Sequence, residues 1–325
     1  MSTQMKAIVA EEGKPLAVGN VERPEIGPHD VLVKVAAAGL NRADLVQRAG
    51  HYPPPPGASD IMGLECAGTS AAVGTKVTKW KEGDKVCALL AGGGYAEFTA
   101  VDEGSLLPVP DTLSLLEAAA LPEAMMTVYA NIFMRCSFQE GDSVLIHGGT
   151  SGIGSMAIQM VKAAGASEIW TTAGTDEKCE AAKGFGATRS INYKNEDFEK
   201  IVRDGGGADV ILDMVGGDYV QKNISAAKVN GRICNIAYLN GPKVELNLMP
   251  LMLKRLILTG TTLRARPVEE KAEIRAAIEK QFWPMVASGE IKPVIDEVYP
   301  FPDAESAQAA MSKGGHIGKI LLDLG

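Results

Sequence analysis

Two rhythms of apolar positions divide the chain. Up to about residue 112, short apolar or alternating runs are separated by Gly, Pro, Asp and Asn. MKAIVA, VLVKVAAAG (Val31–Gly39), ECAGTSAAV (Glu65–Val73), KVCALL (Lys85–Leu90) and YAEFTA (Tyr95–Ala100) read as β-strands between turns. One helix interrupts them, with Asn41 as its N-cap and RADLVQRAG behind it. Many short strands at uneven spacing predict a partly open barrel.

From about Leu113 the period lengthens. Leu115–Ala119 and Ala124–Arg135 read as helices, and strand and helix then alternate. The strands are Ser143–Gly149, Glu168–Ala173, ATRSINY, Ala208–Val215, Gly231–Ala237 and Leu256–Leu263. The helices between them are Ile153–Ala164, Asp176–Phe185, a segment near Glu196–Arg203 and one near Tyr219–Ala226. This alternation predicts a doubly wound parallel sheet, so the fold class is α/β. A long amphipathic helix (Val268–Ser288), a strand (Val294–Val298), a helix (Ala304–Ser312) and the strand GKILLDL follow. That end has no core of its own and is expected to return to the amino-terminal domain. The expected division is residues 1–122 completed by 264–325, with 123–263 as the nucleotide-binding domain.

Composition narrows the function. The 325 residues are 46% hydrophobic and 22% charged, an ordinary globular balance. A net charge of −8 counts against a nucleic-acid surface. No run approaches the roughly 20 apolar residues of a membrane span, and MSTQMKAIVAEEGK lacks a signal-peptide core. Five cysteines without a CxxC pair predict a reduced, cytoplasmic protein. Four histidines without an HxxxH pair predict no metal site. The 36 glycines beside only 5% aromatics point to tight turns and close backbone approaches.

The informative glycines lie in GDSVLIHGGTSGIGSMAIQMVKAAGA (Gly141–Ala166). A strand runs into GGTSGIG and a helix starts at once, the context in which such a loop cradles a pyrophosphate. Gly149, Gly152 and Gly154 let backbone N–H groups approach, and the helix N-terminus adds partial positive charge. Ser151 stands where the usual pattern has its middle glycine. The plain alternative is a tight turn in an α/β sheet. About 20 residues on, an NAD enzyme places an acid for the ribose 2′-hydroxyl. Here the strand ends Trp170-Thr171-Thr172-Ala173-Gly174, and Lys178 follows as a cation for a 2′-phosphate. NADPH is therefore expected. Asp176 and Glu177 lie nearby but suit a helix's first turn, and Lys178 is equally suited to be a solvated surface lysine.

GDSVLIHGGTSGIGSMAIQ, with NRADLVQRAGHYPPPPGA and IMGLECAG, resembles the zinc-independent quinone oxidoreductase (zeta-crystallin-like) branch of the medium-chain dehydrogenase/reductases. GGGYAEF, LPEAMMTVY, INYKNEDF and IGKILLDL extend the resemblance over the whole chain. It is most similar to the tumour-suppressor-inducible quinone oxidoreductase subgroup, which also has Ser-Gly at Ser151 and Gly152. The resemblance implies a GroES-like barrel, a Rossmann domain and hydride transfer from NADPH to a quinone in the cleft between them. Zinc-dependent relatives have Cys at Asn41, His at Leu64 and four Cys after Tyr95. None is present here, so no zinc is expected. Reduction of an electron-poor acceptor needs no Lewis acid.

The resemblance also implies roles. Gly152 and Ile153 would lie under the pyrophosphate, and Gly174, Lys178 and Tyr193 around the 2′-phosphate. Thr127 would reach the nicotinamide-side ribose or phosphate, and Ile236, Ala237 and Leu263 would flank the nicotinamide. Asn41 and Tyr52 would face the acceptor, with Tyr52 hydrogen-bonding a quinone oxygen. Asn41 is equally an N-cap, Tyr52 could pack on Pro53–Pro56, and Tyr193 could be an ordinary strand aromatic. A homodimer through the apolar edge strand Leu256–Leu263 is implied by analogy. Two other functions stay open: a zinc-free reductase of 2-alkenals or enones, and an NADPH-binding sensor or nucleic-acid-associated protein with little catalysis.

Overall fold

A computed structural model describes residues 3–11 and 13–325; Met1, Ser2 and Glu12, part of the segment read as lacking a leader, lie outside the described residues. The chain forms two compact units, one taking the chain up to Met126 together with Leu263–Gly325, the other Thr127–Thr262.

In the first unit the strands are β1 (Gln4–Val9), β2 (Ala17–Glu22), β3 (Asp30–Gly39), β4 (Glu65–Val73), β5 (Lys85–Leu89), β6 (Phe98–Asp102) and β7 (Leu106–Pro108). In the second they are β8 (Ser143–Ile146), β9 (Glu168–Ala173), β10 (Arg189–Asn192), β11 (Ala208–Asp213), β12 (Ala227–Asn235) and β13 (Ile257–Gly260). The first unit is completed by β14 (Ile295–Pro300) and β15 (Lys319–Asp323).

The second unit carries a sheet of order β10-β9-β8-β11-β12-β13, parallel throughout. β8 is SVLI, buried at every position, as expected of a central strand covered by helices on both faces. The strand order reverses between β8 and β11, which puts the doubly wound switch point there. β13 closes the path as an edge, with Ile257 52% exposed.

The first unit is built on β3, which pairs with β4, β6 and β15. Its sheet follows an open path β14-β15-β3-β4-β5-β7, and β1 and β2 form a separate hairpin. The carboxyl-terminal strand β15 sits inside the sheet, with Leu321 opposite Gly39.

Several elements differ from the sequence pattern. β2 (AVGNVE) has no sustained alternation, and β7 (LLP) and the helix Met249–Leu253 (MPLML) are apolar throughout but too short to show a period. The strand expected at Tyr95 starts at Phe98, because Tyr95 turns its hydroxyl into the core. The helix expected over Val268–Ser288 is two, Val268–Gln281 and Trp283–Ser288, with Pro284 unable to continue the first. The helix expected over Ala124–Arg135 is α-helical over Pro122–Val128 and π-helical over Tyr129–Arg135. There the Asn131 side chain bonds the Thr127 carbonyl at 2.7 Å, and Cys136 N–H reaches back five residues to the Asn131 carbonyl. A widened turn of this kind leaves no mark in a hydrophobic period.

A buried carboxylate gathers the first unit. Glu65, fully buried at the start of β4, forms an ion pair with Lys319 of β15. It also accepts the Asn41 side-chain amide at 3.0 Å and the Glu123 N–H at 2.9 Å. Lys319 completes the ring by donating to Asn41 Oδ1 at 2.7 Å. Gly39 makes room for it, since a Cβ there would stand 2.3 Å from Glu65 Oε1. Stranding such a carboxylate costs roughly 3–5 kcal/mol. Lys319→Met should therefore lower the melting temperature by about 10 °C, measured by circular dichroism, and an unchanged melt would show that Glu65 is held without the lysine.

Candidate functional site

β8 leads into the glycine loop, and the helix Gly152–Ala163 begins directly behind it. Two of its glycines are packed too closely to carry side chains. A Cβ on Gly154 would lie 2.2 Å from the Gly148 carbonyl, and one on Gly149 would lie 1.8 Å from Thr171 Oγ1. Ser151 is the N-cap: its hydroxyl accepts the Gly154 N–H at 2.9 Å and donates to the Gly148 carbonyl at 2.8 Å. This is why a serine can stand in the middle-glycine position. With the Gly154 amide capped, none of the described hydrogen bonds takes the amides of Gly152 or Ile153. Two free N–H groups at the start of a long helix suit a pyrophosphate.

β9 ends at Ala173, and Gly174 leads to Thr175, which caps the helix Asp176–Phe185. Tyr193 lies one residue beyond β10 and is 46% exposed. Its hydroxyl would be 2.7 Å from a Cβ on Gly174, so the two are neighbours. Lys178 stands in the first turn of the helix, and its ammonium makes no described hydrogen bond or ion pair. Asp176 is occupied, accepting the Asn192 side-chain amide at 2.6 Å. The residues of this corner thus leave a cation and a phenol open and tie down the nearest acid.

Ile236 follows β12, its N–H bonded to the Asp213 carbonyl at 2.8 Å. Beneath these loops lies a polar core the sequence pattern did not reveal. The fully buried Asp213 side chain accepts from Val215 and Gly216 N–H and from the amides of Asn223 and Asn235. His147 sits between Thr172 Oγ1 at 3.1 Å and Asn223 Oδ1 at 2.7 Å, and burial pushes its pKa down, so it is a neutral strut. An acid in the apolar run ADVILDMV was the available signal. Together the carboxyl ends of β8, β9, β11 and β12 bring the loop, Gly174 and Ile236 to one end of the sheet, where open α/β sheets bind ligands. Thr127, at the start of the second unit, is buried, with its carbonyl taken by Asn131.

The remaining expected residues, Asn41, Tyr52 and Leu263, belong to the first unit. Leu263 is buried. Asn41, expected to face the acceptor, is buried with both ends of its amide engaged, by Glu65 and Lys319. Its neighbour Asp44 accepts from Asn41 N–H, Gly63 N–H and the Tyr95 hydroxyl, and burial still pushes its carboxyl up to about 6. Tyr52 is half-buried, with its phenol raised by burial and by Glu123 and lowered by Arg264. The Arg264 guanidinium carbon lies 5.3 Å from the Tyr52 ring centroid, and Arg264 Nη1 donates to the Tyr52 carbonyl at 3.0 Å. Arg264 escaped the sequence reading because TTLRARP falls between elements. A cavity of about 550 Å³ in this unit is lined by Leu90, Ala91, Gly92, Val268 and Lys271, and neither Asn41 nor Tyr52 lines it. Among the described residues, no three His, Cys, Asp or Glu side chains group as metal ligands.

Known proteins resemble both units. Residues 27–111 match the alcohol dehydrogenase GroES-like domain, and residues 152–280 match the zinc-binding dehydrogenase family. Quinone oxidoreductase of Mus musculus is 32% identical, the match covering 98% of this chain and 97% of the relative. The crystal structure of the quinone oxidoreductase of Pseudomonas syringae pv. Tomato superposes with a TM-score of 0.83 at 31% identity, covering 98% of this chain and all (100%) of that one. The crystal structure of the CurK enoyl reductase superposes with a TM-score of 0.84 at 25% identity, covering 100% of both chains. The barrel-like first unit and the parallel sheet are the GroES-like and Rossmann-like halves of one fold, and the chain belongs to the medium-chain dehydrogenase/reductase superfamily of nicotinamide-dependent oxidoreductases.

Proposed function

We propose that the protein reduces quinones with NADPH, without a metal. The observation that carries this reading is the corner at Gly174. There Lys178 and Tyr193 stand open where an NAD-selective enzyme would hold an acid. Gly152 and Ile153 would hold the pyrophosphate with their amides, and Gly149, Ser151 and Gly154 fix that loop. Thr127, Ile236 and Leu263 would line the nicotinamide half. NADPH supplies the hydride when bound; the chain's residues orient it and exclude water. At the zinc-ligand positions of related enzymes this chain has Asn41 and Leu64, neither able to bind a catalytic zinc as Cys and His do. Asn41 would act indirectly, by fixing the backbone before Tyr52, whose hydroxyl would bond the acceptor oxygen.

The same geometry suits enone reduction, and the likeness to an enoyl reductase favours that as the second reading. One acceptor panel of ortho- and para-quinones and 2-alkenals, run with NADPH and with NADH, decides between them. Quinone turnover with NADPH is expected, and no turnover across the quinones would overturn the reading. We further propose a cytoplasmic homodimer. The cysteines are buried free thiols, which suits a reducing compartment. The edge β13 and the preceding helix expose Met252, Leu253 and Ile257, an apolar border that a second copy would cover.

Lys178→Ala should weaken NADPH binding about 10- to 100-fold and leave NADH binding nearly unchanged, measured by quenching of protein fluorescence. Equal losses for both would contradict the 2′-phosphate assignment. Tyr52→Phe should lower kcat about tenfold with NADPH affinity intact, and an unchanged rate would reduce Tyr52 to packing. Ile257→Glu should convert the dimer to monomer in sedimentation velocity. A wild-type monomer would refute the proposed assembly.

A further inference from the structure

Arg264 is 4% exposed and Lys271 8% exposed, yet neither has an ion-pair partner among the described residues. Buried cations are ordinarily paired, because removing a charge from water costs several kcal/mol. These two are held by backbone oxygens instead. Lys271 donates to the Arg264 carbonyl at 2.7 Å. Arg264 spends Nε on the Ala91 carbonyl at 2.7 Å and Nη1 on the Tyr52 carbonyl at 3.0 Å, and its buried Nη2 has no partner. The carboxylates that act on Arg264 from a distance are Asp44 and Glu123. Burial and the Glu123 carboxylate disfavour negative charge at the Tyr52 phenol, and Arg264 is the group that favours it. Arg264 is therefore the cation that offsets Glu123 beside the Tyr52 ring.

We propose that Arg264, backed by Lys271, is the positioning residue for Tyr52, fixing its backbone and holding positive charge beside its ring for an acceptor oxygen that becomes anionic. The proposal rests on the reading in which the Tyr52 hydroxyl meets that oxygen. Hydride addition to a quinone brings one hydrogen and two electrons, leaves NADP+ and gives a hydroquinone monoanion; a proton from water then completes the hydroquinone. Fixed positive charge acts on that monoanion more than on the neutral quinone, so it accelerates the reaction without tightening substrate binding. A neutral residue at 264 removes the charge. A lysine keeps the charge but, with one nitrogen, loses the fork that bonds two carbonyls at once.

The test uses 4-nitrophenol, whose absorbance reports its ionisation, and its uncharged methyl ether, 4-nitroanisole, on the protein without cofactor. Wild type should bind the phenolate at least tenfold more tightly than Arg264→Gln does, while both bind 4-nitroanisole alike. In quinone turnover, Arg264→Gln should lose at least tenfold in kcat with the quinone KM little changed. Arg264→Lys should keep the phenolate preference and recover only part of kcat. Should Arg264→Gln fail to fold, Arg264→Lys and Lys271→Gln carry the test, the second expected to weaken phenolate binding alone. Equal phenolate binding in wild type and the neutral variants overturns the proposal, as does a loss confined to KM. If wild type reduces no quinone, the proposed function fails, while the probe still decides whether Arg264 supplies the charge.

Discussion

The first unit depends on one carboxylate placed where water cannot reach it. Glu65 joins the head of β4, Asn41 two residues after β3, the strand β15 and the start of the helix at Pro122. Each partner satisfies an oxygen that would otherwise be stranded, so each segment is held to its place by the cost of leaving. Two residues earlier the Gly63 N–H is gripped by Asp44, which also takes the buried Tyr95 hydroxyl. Two acids therefore fix the short stretch 63–65 from opposite sides in sequence. The segment that carries Asn41 is locked by the same contacts, which makes Asn41 part of the frame.

The polar groups of the second unit serve its loops in the same way. Asp213 ends β11 and holds the amides of Val215 and Gly216, while Asn223 and Asn235 converge on its other oxygen. Strand ends that must present backbone atoms to a ligand cannot be fixed by apolar packing alone, because their own amides need partners. A buried acid in an otherwise apolar strand supplies those partners and sets the curvature of the turn.

Much of this was legible in the sequence, and the parts that were not share a cause. Apolar periodicity located β3, β4, β9 and the helices at Asp176 and Tyr219 because those elements bury one face or run through the core. The glycine loop was legible because strand, turn and helix adjoin in the chain. Asn41 was legible as a polar residue of consequence, though its partners Glu65 and Lys319 lie 24 and 278 residues away. Arg264 and Lys271 were not legible, since a cation is informative only once its burial and missing counter-charge are known. The π-helical turn at Tyr129 and the break at Phe282 depend on single hydrogen bonds and on one proline, which a periodic pattern averages away.

The interior position of β15 bears on how the chain is made. Residues 127–262 form a contiguous unit whose strands are all present once that stretch has left the ribosome. The strands β3 and β4 must wait, since β15 and Lys319 come after the whole of the second unit in the chain. Until then Glu65 has no counter-charge, and the flank of β3 that β15 will cover is open. The parallel-sheet unit is thus able to fold during translation before the sheet built on β3 can be completed. A nascent chain stalled before residue 319 would carry one finished unit and one unfinished sheet, a natural substrate for chaperones.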